Sequence, residues 1–113
     1  MKHECPVTNA LTLIGGKWKI PIIYQLSKKS LRFGELKRSL NGVTQQMLSK
    51  QLKEMEKDTL INRKVHEVFP PKVEYSLTEF GRSGIPVLKS LSAWGSRKRK
   101  TINKVIDHNY PKA

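Results

Sequence analysis

A single cysteine, Cys5, in 113 residues removes several kinds of chemistry at once. One thiol cannot close an intramolecular disulfide or build a multi-cysteine metal site. The histidines, His3, His66 and His108, are scattered, so neither a zinc site nor a Cys/His dyad is indicated. Acidic residues are also scarce, 9 against 22 Lys and Arg, which leaves a formal net charge of +13 and points to an acidic partner. Nucleic acid and anionic membrane both qualify. No apolar run approaches the ~20 residues that span a bilayer. The opening MKHECPVTNALTLIGGK has no continuous apolar signal core and no small-residue cleavage site, so the chain is expected in the cytoplasm. There is no Gly-rich phosphate loop, nucleophile motif or metal-ligand cluster, so no enzyme and no cofactor is expected. Repeats and low-complexity tracts are missing as well. The length predicts one domain over residues 1–113 with a modest core.

What is present concentrates in Arg32 to Lys57, RFGELKRSLNGVTQQMLSKQLKEMEK. The pattern predicts a short helix, a tight turn and a longer helix. Asn41-Gly42 allows the positive φ that such a turn needs. Thr44 is a suitable N-cap for the second helix. Leu48, Leu52 and Met55 then recur at helical spacing and are assigned to the core. Gln45, Gln46, Ser49, Lys50 and Lys53 fall on the opposite side. Glutamine can pair in two-point fashion with adenine, serine can bond several base edges, and lysine reaches guanine or phosphate. A plain solvated face would use the same residue types, so this helix alone leaves the two readings even.

The next segment favours a nucleic-acid function. Val73, Tyr75 and Leu77 alternate with Lys72, Glu74 and Ser76, the period of a half-buried strand. Leu60 to Val68 supplies an antiparallel partner. Phe69-Pro70-Pro71 interrupts pairing and marks the hairpin tip. Arg63, Lys64 and Lys72 place positive charge where a wing can reach phosphates or the minor groove. Helix, turn, helix and basic hairpin in that order make a mainly α fold with a small β-hairpin, a winged helix-turn-helix. Arg32, at the head of the first helix, joins the candidate DNA contacts.

CPVTNALTLIGGKWKIPII, RFGELKRSLNGVTQQMLSKQLKEME and PPKVEYSLTEFGRS with a later AWG resemble the HxlR-type transcriptional regulators, winged-helix proteins related to the MarR group. The resemblance runs from about Cys5 to Gly95, in the same order. It implies a cytoplasmic bacterial regulator that binds double-stranded DNA as a homodimer. It also implies a recognition helix over Thr44 to Lys57 and a wing tip around Pro70 to Lys72. Pro21 departs from the pattern, and the basic extension over residues 96–113 lies outside it. Cys5 matches an N-terminal cysteine that some members use to sense oxidants or electrophiles. Such sensing needs an exposed thiolate, favoured by nearby positive charge, for which Lys2, Lys17 and Lys19 are candidates. An inert, partly packed thiol is the alternative.

The remaining segments read as scaffold and interface. Thr8 to Ile14 is expected as a short helix ended by Gly15-Gly16. A second helix is expected from near Lys17 to near Ser27, with Trp18, Ile22, Ile23 and Leu26 as its apolar stripe. Pro21 must sit in its first turn or kink it. Thr78 can cap a longer helix carrying Phe80, Val87, Leu88, Leu91 and Trp94 near one face, weakened by Gly81, Gly84 and Pro86. Ile102, Val105 and Ile106 suggest a last helical piece. So small a domain has little interior for this apolar surface. Leu11, Ile14, Val87, Leu88, Leu91 and Trp94 are therefore assigned to a dimer interface, a choice that the resemblance also implies. Arg97-Lys98-Arg99-Lys100 can touch flanking phosphates or remain a solvated end. Two functions stand: a dimeric regulator reading an inverted-repeat operator, or a winged-helix module that binds RNA or a protein assembly through its basic face.

Overall fold

A computed structural model describes residues 5–111. The chain forms α1 (Pro6–Ile14), α2 (Lys19–Leu26), β1 (Leu31–Arg32), α3 (Phe33–Ser39) and α4 (Gln45–Lys57). It continues through β2 (Ile61–His66), β3 (Lys72–Leu77), α5 (Glu79–Arg82), α6 (Ile85–Arg97) and α7 (Arg99–Asn109). The strands make one antiparallel sheet in the order β1-β3-β2. This is the expected winged helix-turn-helix, mainly helical with a small sheet.

The two N-terminal helices differ from expectation at their ends. α1 begins at Pro6, earlier than Thr8, because a proline presets the helical φ where its missing N–H costs nothing. α2 begins at Lys19, after Gly16 turns the chain at φ 92°. Pro21 is therefore the third residue of α2, inside the first turn, where no N–H is required of it. Trp18, Ile22, Ile23 and Leu26 are all buried as expected.

The helix-turn-helix follows the predicted grammar. The Arg32 backbone N–H donates to Glu35 Oε1 at 2.8 Å and closes the start of α3. Gly42 takes φ 90° in the turn. Thr44 caps α4, its hydroxyl oxygen accepting the Met47 N–H at 3.1 Å. Leu48, Leu52 and Met55 are 0–2% exposed and lock α4 onto α2, α3 and the sheet. Burying three such side chains contributes about 1.5–3 kcal/mol each, which fixes the outward face of α4 by elimination.

The end of α4 is a Schellman motif with an unusual residue in it. Thr59 N–H bonds Glu56 O at 3.1 Å and Leu60 N–H bonds Met55 O at 2.9 Å. The position between them needs a left-handed backbone, which glycine usually supplies. Here Thr59 occupies it at φ 61°. Thr78 braces the same corner. Its hydroxyl donates to Thr59 O at 2.6 Å, lies 3.1 Å from Leu60 O, and accepts the Gly81 N–H at 2.9 Å.

Three expectations change. The hairpin has a third strand, because Leu31 and Arg32 pair with Tyr75 and Glu74. The longer helix expected after Thr78 is two helices: α5 ends at Arg82, and α6 starts afresh at Ile85 with Pro86 in its first turn. Leu88, assigned to a partner surface, is only 6% exposed and belongs to the core of the single chain. α6 turns Leu88 inward onto α2 while Val87, Leu91 and Trp94 stay 50%, 42% and 53% exposed. The basic run Arg97 to Lys100 spans the α6–α7 junction, with all four side chains exposed.

Candidate nucleic-acid interface

Two neighbouring surfaces collect the predicted contact residues. The first is the outward face of α4. Gln45, Gln46, Ser49, Lys50 and Lys53 line one open concavity, as spacing predicted, and Glu54 joins them. All but Ser49 and Glu54 are exposed, and those two are half-buried. Thr44 contributes the cap, with its hydroxyl oxygen already engaged by the Met47 N–H.

Glu54 was not foreseen, and its partner lies far away in sequence. Its Oε1 sits 2.7 Å from Lys19 Nζ at the start of α2. That hydrogen bond, and then the Lys19 charge itself, hold the Glu54 carboxyl below the ordinary glutamate value. Lys19 is the single charged residue buried among the described residues. A buried ammonium needs a partner, and Glu54 supplies it.

The second surface is the outer side of the wing. The register pairs Lys64 with Glu74 and His66 with Lys72, while Arg32 pairs with Glu74 from the other edge. Side chains alternate across a sheet, so Arg32, Lys64, His66, Lys72 and Glu74 share one side. Arg32, His66, Val68, Lys72 and Glu74 line one hollow there. His66 Nε2 lies 2.7 Å from Glu74 Oε1. The same alternation sends Arg63, opposite Tyr75, to the other side. Arg63 and Lys64 are both exposed but cannot serve one surface together. His66 and Glu74 were missed because their contact depends on hairpin register, which the proline-rich tip obscures.

Cys5 lies apart from both surfaces in the fold's first turn. It is exposed and occupies the N-cap of α1. The Thr8 hydroxyl, followed by the backbone N–H groups of Thr8 and Val7, hold the thiol below its ordinary value. These contacts are loose, and no full capping hydrogen bond forms. The lysines expected to do this are engaged elsewhere: Lys17 stacks over Trp18 at 5.0 Å and Lys19 binds Glu54. Lys2 and His3 lie outside the described residues.

A model of the HxlR-like helix-turn-helix family matches residues 13–103. The chain belongs to the HxlR-like helix-turn-helix family. Among its relatives is the HTH-type transcriptional regulator YdeP of Bacillus subtilis, 46% identical over 101 residues, 89% of this chain and 79% of that protein. Among solved structures, the redox regulator HypR in its reduced form superposes with a TM-score of 0.83 at 42% identity, over 88% of this chain and 99% of that one. Diamide-treated YodB of B. subtilis superposes with a TM-score of 0.70 at 33% identity, over 84% and 95%. The chain is accordingly a helix-turn-helix transcriptional regulator. Among its described residues, no helix is long and apolar enough to cross a membrane.

Proposed function

We propose that this HxlR-like regulator is a homodimer that reads an inverted repeat in double-stranded DNA with α4 and anchors on phosphate with its wing. The observation that carries the reading is the outward face of α4. Four exposed side chains, Gln45, Gln46, Lys50 and Lys53, and the half-buried Ser49 are suited to base edges or phosphate, while Leu48, Leu52 and Met55 fix their direction. Arg32, Lys64 and Lys72 on the outer side of the wing add charge for phosphates beside the reading helix, and Arg63 adds it from the opposite side.

The dimer is supported by apolar surface that one chain leaves uncovered. Leu11 on α1 and Val87, Leu91 and Trp94 on α6 are exposed, and Ile14, one turn after Leu11, is half-buried against the core. Val105 and Ile106 extend the exposed apolar surface onto α7. With one reading helix per subunit, two-fold symmetry places the half-site centres about 34–36 Å apart. The protein then acts where the DNA is, in the cytoplasm of a bacterium.

Regulation through Cys5 is part of the proposal. It is supported by the exposed thiol and by its lowered pKa. The relatives described as redox regulator or studied after diamide treatment point the same way. Because the chain has one cysteine, a disulfide must join Cys5 to another molecule, the partner subunit's thiol or a small thiol, whereas an electrophile would alkylate it.

Selection from a random duplex pool, run on wild type and Cys5→Ser with and without diamide, tests all three parts. The expected result is a two-fold related consensus, a dimer in sedimentation, and a diamide response confined to wild type. A monomer protecting a single half-site would refute the binding mode. Equal diamide responses would remove Cys5 from regulation.

A further inference from the structure

We propose that Lys19 is a positioning residue for DNA reading: it holds and neutralises the Glu54 carboxylate so that Lys50 stays free for the duplex. The proposal rests on the assignment of α4 as the reading helix. Three observations carry it. Glu54 lines the same concavity as Gln46, Lys50 and Lys53, so a carboxylate sits on the face that would meet a polyanion. Its nearest cation is the Lys19 ammonium, 2.7 Å away. The Lys19 side chain is 11% exposed and that of Glu54 is 41% exposed, so the pair is drawn to the protein side of the groove.

The consequence follows from helix geometry. Lys50 lies one turn before Glu54, and Lys57 almost one turn after it, so both are its neighbours on the helix surface. If Lys19 were absent, Glu54 would turn to Lys50, the cation best placed to reach a base or phosphate. The resulting Glu54–Lys50 pair would withdraw one positive charge from the reading face. Lys19, reaching in from α2, prevents this without itself occupying the face.

A simple staple between α2 and α4 would also need Lys19, so the test must read charge as well as stability. Wild type, Lys19→Met, the double variant Lys19→Met/Glu54→Gln, and Lys50→Ala are compared by fluorescence anisotropy on a selected duplex. Salt is varied over about 50–200 mM, and each protein's folded fraction is checked by circular dichroism. Lys19→Met is expected to lower the salt slope by roughly one counterion and to weaken binding about fivefold near 0.15 M salt. The double variant is expected to recover both to within about twofold, since no carboxylate is left to be held.

An unchanged slope in folded Lys19→Met, or no recovery in the double variant, overturns the proposal. If Lys19→Met does not fold, Lys19→Gln replaces it. That variant keeps a donor toward Glu54 without its charge, and the same loss of slope is expected. Lys50→Ala separates this inference from the function beneath it. If Lys50→Ala changes neither slope nor base preference, α4 is not the reading helix and both fall. If it changes them and Lys19→Met does not, only the role of Lys19 falls.

Discussion

Replacing Thr59 by glycine should stabilise the protein. Thr59 ends α4 in the left-handed region at φ 61°, where a β-branched side chain is sterically disfavoured. The left-handed backbone costs an L-residue roughly 1–2 kcal/mol. Glycine removes that cost but returns about 0.5–1 kcal/mol through its greater freedom in the unfolded chain. Little else is lost. The Thr59 hydroxyl bonds only the adjacent Asp58 carbonyl in an exposed position. The Thr59 carbonyl that receives the Thr78 hydroxyl is backbone and survives the change. The net gain is about 0.5–1 kcal/mol. With a urea m-value of about 2 kcal/mol/M, the midpoint rises by roughly 0.3–0.5 M. Asparagine, which tolerates the left-handed region, should give a smaller gain, and Thr59→Val none. The assay is equilibrium urea unfolding at one fixed protein concentration, because the midpoint of the proposed dimer would depend on it. A midpoint for Thr59→Gly at or below wild type, with m unchanged, would refute the strain argument.

The other expectations can be checked in the same protein. Gly81→Ala should destabilise by about 1–3 kcal/mol in urea, because the added Cβ would lie 2.2 Å from the Leu60 carbonyl oxygen, a backbone atom that cannot step aside. Thr78→Val should cost about 1–2 kcal/mol by removing the cap of α5 and the tie to Thr59, while Thr78→Ser should retain most of the stability. Glu35 has its pKa lowered, first by the Arg32 backbone N–H, so its contribution is complete above the ordinary glutamate value and is lost as pH falls through the lowered one. Glu35→Gln should therefore flatten the decline in stability as pH falls below the ordinary glutamate value, and an unchanged acid limb would exclude this carboxylate. Gln46→Ala should relax base preference, whereas Lys72→Ala should weaken binding to every sequence and lower the salt slope by roughly one; identical signatures from the two would dissolve the division between reading and anchoring.

How much of this was readable beforehand depended on the range of each interaction. α4 was legible because a cap, a stripe of Leu48, Leu52 and Met55, and an opposite polar face all lie within one local period. The opposite directions of Arg63 and Lys64 follow from strand alternation, but in the sequence both were grouped with Lys72 as one set of wing cations. β1 was not legible, because two residues cannot display a period. Leu88 was misassigned for a different reason. The apolar stripe of α6 serves both the core and the outside, and periodicity does not say where one ends. Lys19 and Glu54 meet only after α2 packs beside α4, and nothing local to either residue announces the other. Thr59 was hidden because glycine or asparagine is the usual sign of a left-handed helix end, and neither stands there.

The short strand β1 has a mechanical consequence. Arg32 is at once the last residue paired to β3 and the N-cap of α3, so the wing and the first helix of the pair share a single anchorage. A force that tilts the wing must also tilt α3, and α3 hands that tilt through a short turn to α4. The wing and α4 are thus coupled through α3, while the helix breaks at Ser83–Gly84 and at Lys98 separate them from α6 and α7. In the proposed dimer, an event beside α1 or α6 would release an operator without unfolding either surface, by rotating wing and α4 together out of register with those of the second subunit.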